Sequence, residues 1–134
     1  MVLRNLNHYI ETQVHGDIHL SEHMSVLVAD PSFRGTATGD VLTRLSTTYN
    51  IPLRWHPGFQ MHVNDVPDDF RGGLMSKVAK KIAESEIIHA ELIGRSSIEA
   101  VKNPQNWDDV DDSPLKLLKF LWHVLLRFGA GYTR

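Results

Sequence analysis

The sequence contains no cysteine. That excludes disulfide frameworks, thiol nucleophiles and cysteine-based zinc sites together, and it is compatible with a reducing compartment. A long apolar run is also missing. The longest stretch, Leu115 to Phe128, is interrupted by Lys116, Lys119, His123 and Arg127, and is too short and too charged to span a bilayer. Met1 to His8 holds no uninterrupted apolar core, so it does not read as a secretory signal. Neither sign of charge is in excess. A net charge of −2 and an isoelectric point near 6.4 give no support for a phosphate-tracking surface, so neither nucleic acid nor membrane is expected as a partner. The expected location is cytoplasmic. There is no HExxH pair, no nucleophile elbow and no glycine-rich phosphate loop.

What is present has the balance of an ordinary globular domain. Hydrophobic residues make up 42% and charged residues 22% of 134 positions, enough to bury a core without disulfides or metal. Residues 1–134 therefore read as a single domain, with no internal repeat and no low-complexity tract.

Asn7 to His15 alternates and is rich in β-formers, which predicts a strand ending at Gly16. Tyr9, Glu11, Gln13 and His15 share one face of it, and Ile10, Thr12 and Val14 the other. Ser25 to Ala29 is a short apolar run stopped by Asp30-Pro31, a second strand, and Phe33 to Thr36 is a turn. A helix is predicted over Asp40 to Tyr49, capped by Thr36 or Thr38 and ended by Asn50 and Pro52. Leu53 to His56 reads as a strand and Phe59 to Gly73 as a polar loop. Leu74 to Glu86 has helical periodicity. Ile87 to Ile93 reads as a strand, and Ser96 or Ser97 as the cap of a short helix to Val101. Ser113-Pro114 opens the last helix, which runs to Phe128 and stops at Gly129 in a left-handed cap. The expected fold is α+β: a small mixed sheet of three to four strands, three to four helices on one side, and Trp55 and Trp122 in the core.

Several constellations could carry chemistry. On the first strand, Glu11 and Gln13 stand two residues apart on one face, where a carboxylate and an amide can jointly hold a sugar hydroxyl or a developing cation. An ordinary solvent-facing edge strand has the same pattern. His15, His19 and His23 are spaced four apart, but Gly16, Asp17 and the preceding strand argue against one helix, so no metal is expected there. His56, His62 and Asp65 follow a strand end, where α/β ligand sites lie, and could form a catalytic or metal cluster. An aromatic plug of Trp55 and Phe59, with His56 bonded to backbone, fits that segment equally well. Asp108, Asp109, Asp111 and Asp112 read as solvated charges near a helix N-terminus, and His123 as a histidine with a local hydrogen bond.

The stretch Tyr9 to Leu20, continuing through Val26 to Thr36, together with Trp55-His56-Pro57-Gly58-Phe59 and Leu118 to Leu125, resembles the C-terminal half of a bacterial family built on a domain of unknown function. The likeness covers nearly all of the chain from residue 9 onward. Within it, Glu11-Thr12-Gln13-Val14-His15-Gly16 followed by an apolar strand is similar to the last catalytic segment of ADP-ribosyltransferases. The resemblance implies that Glu11 hydrogen-bonds the nicotinamide ribose and stabilises an oxocarbenium-like transition state, with Gln13 as an orienting neighbour. Many of those transferases carry Gln or Glu two residues before the catalytic glutamate. Tyr9 stands there instead, which leaves target-residue specificity open.

The resemblance also places the groups that grip NAD many tens of residues upstream, whereas ten residues precede Glu11. The expectation is a C-terminal fragment of an ADP-ribosyltransferase-like protein, truncated and inactive alone, with no cofactor by itself and NAD only if an upstream half completes it. The alternatives are a non-enzymatic interaction or regulatory domain, and a small metal-dependent hydrolase using His56, His62 and Asp65. A homodimer or a partner protein is expected through the Asn7–His15 strand, whose edge would otherwise be bare.

Overall fold

In the computed structural model, which describes residues 15–131, the first element is the single helical turn α1 (Leu20–His23). The predicted strand from Asn7 lies outside the described residues except for His15, which is exposed. The apolar run after α1 forms β1 (Leu27–Ala29), stopped by a 3-10 turn at Pro31–Phe33. Helix α2 (Ala37–Tyr49) follows. Thr36 caps it, its hydroxyl accepting the Gly39 N–H at 3.2 Å, and Asn50 ends it in the left-handed region at φ 54°. The chain then returns as β2 (Leu53–Trp55), parallel to β1 with Leu27 opposite Leu53 and Ala29 opposite Trp55. Parallel neighbours need such a crossover, and α2 supplies it.

The segment expected to be a loop carries β3 (Gln60–His62) and a 3-10 turn over Val63–Asp65. Strand β3 pairs antiparallel with β4 (Ile87–His89), Met61 facing Ile88. A three-residue strand paired with a distant segment has too little alternation to be visible locally. Between them, α3 (Met75–Ile82) is shorter than its periodicity suggested. The chain turns back at Glu84 to Ile87, with Ser85 and Glu86 both at positive φ.

Helix α4 (Ala90–Lys102) begins where a strand was expected to continue. His89 caps it, Nδ1 accepting the Leu92 N–H at 3.2 Å. The expected cap Ser97 sits inside the helix and donates to the Ile93 carbonyl at 2.9 Å. Helix α5 (Pro114–Phe128) has the predicted bounds, although Ser113 makes no side-chain cap. Gly129 is not left-handed, its φ being −65°. Glycine is required there for space, since a Cβ would come within 2.4 Å of the Leu125 carbonyl oxygen.

The fold is mixed α+β, but its strands form two separate pairs instead of one sheet. The chain turns out of β2 at Pro57-Gly58, with Gly58 at φ 87°, and its next strand pairs elsewhere. Helices α3, α4 and α5 pack around β3 and β4, with Met75, Val78, Ile88, Leu118, Leu121 and Leu125 fully buried. Trp107 is the buried tryptophan at 4% exposure, while Trp55 and Trp122, expected in the core, are half-buried. Among the described residues, no helix is long and apolar enough to cross a membrane.

Candidate functional site

Parallel pairing brings the C-terminal ends of β1 and β2 to the same edge, the position at which α/β sheets bind ligands. Asp30 follows β1 and His56 follows β2. Among the described residues, Asp30 is the buried charged side chain, 5% exposed. A buried carboxylate is costly unless hydrogen-bonded. Here Oδ1 accepts the Ser32 N–H at 2.9 Å and Oδ2 the Phe59 N–H at 3.1 Å. His56 Nε2 stands 3.5 Å from Oδ2, and its Nδ1 accepts the Gly58 N–H at 2.8 Å. Because Nδ1 is an acceptor, the proton of the neutral ring lies on Nε2, toward Asp30. A catalytic-triad histidine keeps one nitrogen for substrate. In His56 the Gly58 N–H occupies Nδ1, while Nε2 at 3.5 Å from Oδ2 is too distant for a strong hydrogen bond, so it is Asp30, through its two backbone bonds, that clamps the strand ends together.

Asp30 and His56 line a cleft of about 470 Å³ together with Val28, Phe33, Thr38, Leu42, Ile93, Gly94 and Trp122. That volume lies in the range of small-molecule sites. A second cavity of about 440 Å³ shares Phe33, Thr38 and Gly94 and extends along α4 to Ile98 and Lys102. A third, of about 420 Å³, lies beside Trp107. Its charges are already paired. Glu99 accepts the Trp107 Nε1–H at 2.7 Å and an Asn106 amide N–H at 2.6 Å, which hold its carboxyl below the usual glutamate range. Arg95 donates to Glu84 at 2.7 Å and pairs with Glu91 at 3.2 Å.

Glu11 and Gln13 lie outside the described residues. Of the three spaced histidines, two come together and His15 is not shown to join them. Helix α1 brings His19 and His23 to 5.9 Å between ring centroids, and His23 Nδ1 accepts the His19 N–H at 2.9 Å. The His56, His62 and Asp65 group does not assemble. His62 faces Glu86 at 3.4 Å while His56 faces Asp30. Among the described residues no three metal-binding side chains come together. In the acidic loop Asp109 accepts Lys81 at 2.7 Å, Lys77 donates to its carbonyl, and Asp112 pairs with Lys116 at 2.6 Å. His123 departs from expectation, since its buried Nδ1 has no partner. Burial, then the positive charges of Arg71 and Lys119, lower its pKa.

Sequence reasoning treated Asp30 only as a strand stop. The available signal was Asp-Pro-Ser directly after an apolar run, an aspartate placed to cap the turn that follows.

These features define a small α+β protein with a cleft at a strand edge, built on a buried Asp30 with His56 beside it. The chain belongs to the family described as "Protein of unknown function (DUF3626)", whose model matches residues 1–128. Neither a curated protein nor a solved structure matches it.

Proposed function

We propose that this chain is the glutamate-bearing C-terminal part of an ADP-ribosyltransferase-like protein, and that it does not turn over NAD by itself. Glu11 holds the nicotinamide ribose and Gln13 orients it, while a second polypeptide body grips the nucleotide. The observation that supports this is the bareness, among the described residues, of the layer the Glu11 motif leads into. Val28, at the centre of β1, is 60% exposed. Helix α2 buries Gly39 alone, and Val41 and Tyr49 are exposed. A layer with its full complement of neighbours buries an apolar stripe of its helix. The covering body is a second copy or a partner chain, engaged through this layer and the Asn7–His15 segment.

The same bareness favours a second reading, an interaction domain without catalysis, because an uncovered apolar layer is what a partner chain would seat on. Capture of the tagged chain from its own host, followed by nicotinamide release from NAD, separates the two. Release should fall by a factor of about 100 or more in Glu11→Gln complexes. Equal release from both complexes, or none from either, overturns the transferase reading.

A further inference from the structure

We propose that the cleft at the ends of β1 and β2 binds a small organic ammonium ion carried on an apolar body. Among the described residues its lining holds one carboxylate, Asp30, with His56 beside it, and the aromatic side chains of Phe33 and Trp122, with no lysine or arginine. A carboxylate beside aromatic faces recognises an ammonium group through charge and cation–π attraction. Among the described residues an anion would meet no lysine or arginine there, only His56 beside the Asp30 carboxylate. The carboxylate also retains acceptor capacity. Two backbone N–H groups bond it at 2.9 and 3.1 Å, His56 is at a long 3.5 Å, and an ionised carboxylate offers about four acceptor positions.

A second observation comes from Gly94. It lies inside α4, where glycine is disfavoured against alanine by about 1 kcal/mol. Its φ is not positive, and a Cβ built on it would meet nothing within 4 Å. Neither backbone conformation nor packing within the described chain requires glycine at this place. Gly94 lines the cleft, and the missing side chain leaves room for an occupant against the helix.

The probe is benzyltrimethylammonium, compared with benzyl alcohol and benzoate by calorimetry and by tryptophan fluorescence in wild type and Trp122→Phe. The cation should bind at least about tenfold more tightly than either comparator and should perturb Trp122. Asp30→Asn should weaken it at least tenfold. Because Asp30 also holds backbone, Gly94→Leu provides the second variant: it fills the cleft from a position with free space, and should abolish binding while the circular dichroism spectrum stays unchanged. Equal binding of the three probes overturns the proposal. So does no binding by folded wild type, or unaltered binding by folded Gly94→Leu.

Discussion

The backbone N–H of Phe59 donates to Oδ2 of Asp30 at 3.1 Å across 29 positions of sequence. With the Ser32 N–H on the other oxygen, one carboxylate fixes the turn after β1 and the turn after β2. Replacing Asp30 with alanine leaves both donors unsatisfied near the cleft floor. The expected loss is about 3 kcal/mol, read from the urea midpoint, with Asp30→Asn losing less because one acceptor remains. An unchanged midpoint in Asp30→Ala would show that the clamp does not hold the strand ends.

Glu99 ties α4 to the 3-10 turn Pro104–Trp107 through two hydrogen bonds, which lower its carboxyl pKa, the Trp107 bond acting most. A lowered folded pKa means that the unfolded chain takes up the proton first as pH falls. The contribution is therefore fully present above the ordinary glutamate value of roughly 4.3 and is lost as pH drops through the folded value. Glu99→Gln keeps an acceptor for the indole but does not titrate. Thermal midpoints followed from about pH 6 to about pH 3 should fall more for wild type than for Glu99→Gln. Parallel curves would contradict the assignment.

His123 carries the same sign through a different group. Burial first, then Arg71 and Lys119, favours its neutral form in the folded state. Its contribution is present above the ordinary histidine value of about 6.5 and fades as pH falls through the lower folded value. The partnerless Nδ1 makes the neutral ring itself a cost. Leucine at this position should raise stability by about 1 kcal/mol at neutral pH and flatten the pH profile below it. A destabilised His123→Leu would mean that the imidazole has a structural role through its other nitrogen.

The sequence was most legible where local chemistry decides the element. Pro114 at the first helical position and the leucines through Leu125 give α5 its bounds, and Thr36 and Asn50 close α2 at both ends. Legibility failed where partners are distant. Strand β3 exists because Ile87–His89 lies beside it, and His89 ends β4 by offering its ring to the next helix. Asp30 looked like punctuation because its partner Phe59 and the cleft walls from α4 and α5 are brought to it only by the fold. His56 was visible as a candidate, but its neighbours Gly58 and Asp30 are set beside it only by the fold.

If the layer of β1 and α2 is completed by another chain, as proposed, self-association of the purified protein is the simplest form of that completion. Val28 stands exposed at the centre of β1, and a lysine there should be tolerated by the monomer but not by an apolar contact. Sedimentation velocity of wild type and Val28→Lys is the direct measurement. The expected result is a wild-type species heavier than the 15.2 kDa monomer that Val28→Lys returns to monomer without loss of helicity. A monodisperse wild-type monomer that unfolds in one cooperative transition contradicts it.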